Sequence, residues 1–154
     1  KIGSSPILEK TNIIEATQNS YDYLKTRSSR LIEFSIDTPE GNIPVMLNRQ
    51  LYSWTIENLV KNAIDAMRGK GKLNISIQEE QKWAHIFIKD TGKGLEKNKF
   101  KLIFEPGHTS KKRGWGLGLS LAKRIIEGYH HGRIKVAESE INKGTTFKIS
   151  LRKV

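Results

Sequence analysis

The chain has 154 residues and a formal net charge of +11, a length that suits one domain. Its apolar content of 36% and charged content of 28% are those of a globular protein with a real core, and no apolar run reaches the about 18 residues needed to cross a bilayer. There is no cysteine, which excludes a disulfide scaffold and thiolate zinc sites. The positive charge points to a polyanionic partner: a nucleotide, a nucleic acid, a phosphoprotein or an acidic membrane.

Residues 1–11 read as the end of a linker from a missing upstream domain, and 12–154 as the domain proper. Ile13, Ile14, Thr17, Tyr21, Leu24 and Ser28 recur at helical spacing, with Asn12 as the N-cap. "RLIEFSID" alternates, with Ile32, Phe34 and Ile36 on one face, and predicts a strand. A turn over 39–41 leads to an extended piece over 43–47. Asn48 then caps a long helix that stops at "RGKGK". "KLNISIQ" and "WAHIFIKD" form a hairpin, "DTGKGL" is a loop, and "KNKFKLIFEP" holds a short helix closed by Pro106. Residues 105–115 show no periodicity. A third helix over 117–127 ends at Gly128 as its C-cap. "GRIKVAES" and "TTFKISL" make a second hairpin. The sum is α/β, with five or six strands, several antiparallel, and three helices.

Three constellations carry chemistry. Asn58 and Asn62 lie four apart on the second helix and so share a face with Leu51, Thr55, Leu59 and Ala66. Two inward amides need partners. They either cross-link neighbouring backbone or present hard, neutral oxygen to an ion such as Mg²⁺. Asp90 ends a strand on the inward face of Ala84, Ile86 and Ile88, where its carboxylate wants a donor: an adenine amino group or a backbone turn. Finally, "KKRGWGLGLS" sets Lys111, Lys112 and Arg113 before alternating glycines and a helix start. Bare N–H groups and a partial positive charge there suit a polyphosphate. It is neither a Walker loop nor a Rossmann fingerprint, since a polar loop and not a strand precedes it.

In order, "NLVKNAIDAM", "DTGKGL", "IFEPGHTSKK", "GWGLGLSLAKRIIEGYHHGRI" and "KGTTFKISL" resemble the N, G1, F, G2 and last boxes of the catalytic and ATP-binding domain of sensor histidine kinases, within the GHKL ATPases. The likeness covers 12–153. It implies a two-layer α/β sandwich, a mixed sheet covered on one face by three helices, binding ATP and Mg²⁺. Asn62 would ligate the Mg²⁺, supported by Asn58. Asp90 would accept from the adenine amino group, beside Gly92, Gly94 and Thr145. Gly114, Gly116, Leu117, Gly118 and Leu119 would hold phosphates, and Lys111, Lys112 or Arg113 would reach the terminal one as a lid closes.

Several positions depart from the family pattern. Gly107 and His108 stand where two aromatics are usual, and Trp115 where a small residue is. Asp65 replaces a polar or cationic phosphate contact, so that contact falls to the lid. Asn58 stands where ATP-hydrolysing branches place a water-activating Glu. Glu57 lies about 100° round the helix from it, which favours a kinase over a hydrolase. A GHKL ATPase or an anti-sigma-type serine kinase is the alternative, and a non-enzymatic nucleic-acid-binding module, for which only "KNKFK" interleaves an aromatic with cations, is the least favoured. His85 reads as a surface strand residue, His130 and His131 as helix-end caps, and none of the four histidines sits on a helical hairpin. The acceptor histidine would therefore belong to a separate dimerisation domain, with a response regulator downstream and a homodimeric full-length protein. The location would be cytoplasmic, with neither nucleic acid nor membrane bound by this chain.

Overall fold

The computed structural model describes residues 6–107 and 118–154. Along the chain run β1 (Glu9–Asn12), α1 (Ile13–Arg27), β2 (Ile32–Asp37), β3 (Pro44–Leu47), α2 (Arg49–Ala66), β4 (Gly71–Glu79) and β5 (Trp83–Asp90). Two 3₁₀ turns (Lys97–Lys99, Leu102–Phe104) precede α3 (Gly118–Lys123), which continues as a π-helical turn (Arg124–Tyr129) into β6 (Arg133–Glu140) and β7 (Gly144–Arg152).

Strand alternation decides the architecture. Leu73, Ile75 and Ile77 of β4, Ala84, Ile86 and Ile88 of β5, and Phe147, Ile149 and Leu151 of β7 turn to one side and are buried. The five-stranded sheet has the order β2-β4-β5-β7-β6, parallel between β2 and β4 and antiparallel elsewhere. α1, α2 and α3 lie over the apolar side. Ile13, Ala16, Leu24, Ile56, Leu59, Val60, Ala63, Ala122, Ile125 and Ile126 complete one core with the strands. This is the two-layer sandwich that the family resemblance implies. Thr17 Oγ1 and the fully buried Tyr52 hydroxyl, 2.7 Å apart, satisfy each other between α1 and α2.

Both predicted asparagine caps are present. Asn12 Oδ1 accepts from Ile14 N and from Ile43 N, each at 3.1 Å, so one side chain starts α1 and holds the approach to β3. Asn48 Oδ1 accepts from Leu51 N at 3.0 Å, and its Nδ2 donates to the Ile7 carbonyl.

Four details differ from the sequence reading. Glu9, Lys10 and Thr11, assigned to linker, pair with β3 in a two-stranded ribbon. "KNKFKLIFEP" forms two 3₁₀ turns and not one α-helix. The third helix does not stop at Gly128. It widens into a π turn that runs through Gly128, and His130 N donates to the Ile125 carbonyl five residues back at 3.1 Å. The helix ends at His130, in the cap role read for it from sequence: Nδ1 donates to the same carbonyl at 2.9 Å, and Nε2 accepts from Asn48 N at 3.0 Å. His85, finally, is no surface residue. It is 8% exposed, with Nδ1 2.7 Å from Ser150 Oγ and Nε2 on the Glu80 carboxylate. Alternation puts it on the side away from the helices, but neighbouring strands and the β4–β5 turn cover it.

Candidate active site

β5 delivers Asp90 to the rim of the core, 3% exposed. Its Oδ1 accepts from Gly92 N at 2.8 Å and from Thr145 N at 3.2 Å. The first bond closes the turn after β5; the second ties the carboxylate to the start of β7. Both fall on Oδ1, and among the described residues Oδ2 receives none. Burial raises the Asp90 carboxyl above its usual range, opposed by those two N–H groups. The result is a fixed carboxylate with one oxygen to offer a donor.

The loop after Asp90 is held on both sides. Lys93 N donates to the Ala66 carbonyl at the end of α2 (3.0 Å), and Lys93 O accepts from Asn142 N in the β6–β7 turn (2.8 Å). Gly94 has φ +75° and lies so close to the Glu140 carbonyl that a Cβ there would collide with it. Ser139 was not singled out from sequence, yet it joins three segments. Its Oγ accepts from Leu95 N at 2.7 Å, lies 3.0 Å from the Gly144 carbonyl and 2.7 Å from Thr145 Oγ1. Its single proton serves the carbonyl, so the Thr145 hydroxyl donates to Ser139. Counting back from the turn, which pairs Ser139 with Thr145, is the signal that finds it.

Asn58, Asn62 and Ala66 follow one another at four-residue steps along α2, so the helix runs from the Asp90 loop to the start of α3. Asn62 Nδ2 donates to the Asn58 carbonyl at 3.1 Å. That bond puts Nδ2 on the helix backbone and identifies the other amide atom as Oδ1, a hard oxygen of the type Mg²⁺ accepts. Asn58 Nδ2 is buried with no hydrogen-bond partner among the described residues. Gly118 opens α3 directly against it: a Cβ on Gly118 would lie 2.9 Å from Asn58 Nδ2 and 3.0 Å from its Oδ1. An orphaned buried donor beside a glycine at a helix start fits an incoming phosphate oxygen. Among the described residues no three His, Cys, Asp or Glu side chains converge as a metal cage. Mg²⁺ is an ion that takes few protein ligands and keeps oxygens from phosphate and water. The residues present fit Mg²⁺ carried by a nucleotide.

The structure thus brings Asp90, Gly92 and Thr145 together, Gly94 beside them, and Asn58 against Asn62 and Gly118. Leu119 is half-buried against the core. Lys111, Lys112, Arg113, Gly114, Gly116 and Leu117, with His108 and Trp115, lie outside the described residues. Phe104 packs edge-on against Phe147 of β7, centroids 6.1 Å apart, and seats the second 3₁₀ turn on the sheet. Glu57 pairs with Lys61 at 2.9 Å and lines the cleft between α1 and α2 with Ala16 and Trp54, off the Asn58 face.

Residues 47–154 match the family described as histidine kinase-, DNA gyrase B- and HSP90-like ATPase, and the chain belongs to it. Within that family its likeness is to histidine kinases. It is 32% identical over 145 residues to sporulation kinase E of Bacillus subtilis (strain 168), covering 93% of this chain and 19% of that protein. The catalytic domain of histidine kinase ThkA, solved nucleotide-free, superposes with a TM-score of 0.84 at 28% identity, over 95% of each chain. ThkA in complex with the response regulator protein TrrA gives a TM-score of 0.82 at 25% identity, over 96% of this chain and 42% of that one. The chain spans about a fifth of the length of the curated relatives it matches. It is an ATP-binding catalytic domain of the histidine kinase type.

Proposed function

We propose that the chain binds ATP with Mg²⁺ and transfers the γ-phosphoryl group to a histidine on a separate dimerisation domain of a longer, homodimeric protein, from which a response regulator takes it up. In the transfer the bond from γ-phosphorus to the departing ADP oxygen breaks, a bond to an imidazole nitrogen forms, and the imidazole loses its proton. Such a reaction asks of the protein mainly position and charge. Asp90 Oδ2 accepts from the adenine amino group and fixes the base. Asn58 Nδ2 donates to a phosphate oxygen, and Gly118 leaves room for it. Asn62 Oδ1 supplies the protein oxygen to Mg²⁺, which when bound neutralises phosphate charge. Lys111, Lys112 or Arg113 would reach the terminal phosphate, and Gly114, Gly116 and Leu117 would hold phosphates with Gly118 and Leu119.

The observation that carries this reading is the pairing of one offered carboxylate oxygen at Asp90 with one orphaned buried donor at Asn58, joined by a single helix. The family and the ThkA likeness support the kinase assignment, and the ThkA–TrrA complex supports a response regulator as the downstream partner. Glu57, paired with Lys61 away from the Asn58 face, is not placed to activate water, which speaks against a hydrolase. No helix among the described residues is long and apolar enough to cross a membrane. The place of work we assign is the cytoplasm, where ATP is.

Calorimetric titration with ATP, with and without Mg²⁺, tests the site. Binding should need the metal for full affinity, Asn62→Asp should alter that dependence, and Asp90→Asn should weaken binding by about 1.5–3 kcal/mol, the value of a hydrogen bond to a charged group. Wild-type affinity in both variants would sink the assignment. Incubated with γ-labelled ATP, the chain alone should stay unlabelled and should label a supplied helical hairpin bearing the acceptor histidine. Acid-labile label on the chain alone would refute the separate acceptor.

A further inference from the structure

We propose that the side of the sheet facing away from the helices is a platform for single-stranded nucleic acid, distinct from the nucleotide site. That side is built from the alternate positions left over by the core. β5 contributes Trp83, His85 and Phe87, at steps of about 6.8 Å along the strand. β7 lays Arg152, Ser150 and Lys148 directly opposite them. β6 adds Arg133 opposite Ser150 and Lys135 opposite Lys148. Trp83 and Phe87 therefore flank the buried His85 and lie beside two rows of cations. The Arg152 guanidinium is 5.8 Å from the Trp83 ring centroid, and Lys148 Nζ is 5.7 Å from that of Phe87. Trp83, Phe87 and Lys148 are half-buried, and Arg133, Lys135 and Arg152 are exposed. No element among the described residues packs over them.

Apart from one group, the charge on this side is segregated. Glu80 brings a carboxylate toward the middle: its bond to His85 holds its carboxyl below the usual range and so ionised, and Lys148 lies near enough to favour that charge. The other carboxylates of this side sit at its margins, Glu33 and Asp37 on β2 and Glu138 and Glu140 at the far end of β6. Around the Glu80 carboxylate the middle carries Arg133, Lys135, Lys148 and Arg152 beside Trp83 and Phe87. Sequence alone shows aromatics interleaved with cations only in "KNKFK"; here the interleaving runs across strands and appears only once the register is known.

Ring and cation together select the ligand. Cations alone would satisfy any anion, an acidic peptide or a lipid headgroup included. Rings add a stacking surface for planar faces, and an unpaired strand offers planar bases together with phosphate. A duplex keeps its base faces stacked inside. Cation–π pairs on a solvent-facing side are weak enough to open, so each cation can turn to a phosphate while a base stacks on the ring beneath it. Asp90 opens to the helix side of the sheet, so this surface and the nucleotide site lie on opposite sides of one layer.

Fluorescence anisotropy with a labelled oligodeoxythymidine of about 12 nucleotides, within the size range of single-strand sites, tests this across a salt series in saturating Mg·ATP. Binding should persist with the nucleotide present. Lys148→Glu with Arg152→Glu should weaken it more than about tenfold and lower the log–log salt slope by about 1.4, for two lost phosphate contacts. Trp83→Ala with Phe87→Leu should weaken it about tenfold and leave the salt slope unchanged. Wild-type nucleotide binding in each variant reports an intact fold. Displacement of the oligonucleotide by Mg·ATP, or variants that bind it like wild type, would overturn the proposal. So would polyglutamate or phosphatidylserine vesicles that bind tighter than the oligonucleotide, depend on the same cations and ignore the rings.

Discussion

Asp90 is under two opposed demands. As a ligand it must be ionised to accept from an amino group; as a buried residue it is better protonated. Burial wins in the absence of ligand, and its carboxyl is raised above the ordinary value. A carboxyl with a raised folded-state pKa stabilises the fold below its unfolded pKa and loses that contribution as pH rises through the folded one. At neutral pH the charge is therefore a liability to the fold. Asp90→Asn keeps an Oδ1 for Gly92 N and Thr145 N and removes the charge, so its melting temperature at pH 7 should equal or exceed wild type; a lower one would contradict the account. Nucleotide affinity should run the other way. In wild type it should fall on acidification, beginning above the ordinary carboxylate range, and Asp90→Asn should flatten that dependence. Gly118 gives a steric counterpart. Alanine for glycine normally favours a helix by up to about 1 kcal/mol. Here its Cβ would press on both atoms of the Asn58 amide. Gly118→Ala should keep the fold and weaken nucleotide binding, and calorimetry showing unchanged affinity would remove Asn58 and Gly118 from the phosphate site. These residues were legible because strand parity and helical spacing fix where a side chain points. Ser139 was not, since its importance depends on a hairpin register.

At the scale of elements, the hairpins, the long helix and both asparagine caps could be read, because each carries its signal locally. β1 could not: "EKTN" has no apolar alternation, and what makes it a strand is β3 beside it. The end of the third helix misled for a related reason. Gly128 looks like a C-cap in isolation, but the His130 ring, bonded both to the Ile125 carbonyl and to Asn48 N at the head of α2, extends the helix past it. That arrangement requires a neutral imidazole with the proton on Nδ1. Burial, ahead of the proximity of His131, pulls the His130 pKa below its ordinary 6.5, against the Ile125 bond. A depressed histidine pKa means that the unfolded chain binds the proton more readily. Its contribution to stability is present above the unfolded pKa and lost as pH falls through that value toward the folded one. Chemical denaturation at pH 7.5 and at successively lower pH below 6.5 should show that loss. His130→Ala should cost about 1–3 kcal/mol at pH 7.5, for a buried N–H left unpaired, and should flatten the profile. A profile of the same shape in the variant would assign the titration elsewhere.

For the whole molecule, what matters is that the site does not exist outside the fold. Asn58 and Asn62 come from α2, Asp90 from β5, Gly118 from α3 and Thr145 from β7, and an unfolded chain cannot assemble them. Nucleotide should then bind the folded state alone and stabilise it by mass action, by about 2.7 kcal/mol at a hundredfold excess over the dissociation constant. One core built from both layers favours a single cooperative transition. For a chain of this size each kcal/mol moves the melting temperature by about 2–4 °C, so saturating Mg·ATP should raise it by roughly 5–11 °C. Chelating the metal should cut that rise if Asn62 and the phosphates share an ion. Asp90→Asn should begin at or above the wild-type melting temperature without ligand and gain much less from Mg·ATP. The two proteins would then change order on adding nucleotide, the variant leading when empty and wild type when filled. An equal rise in both would show that Asp90 does not hold the base. A rise untouched by chelation would leave Asn62 without a metal to ligate. A variant less stable when empty would mean that the two backbone N–H groups, and not burial, decide the energy of the carboxylate.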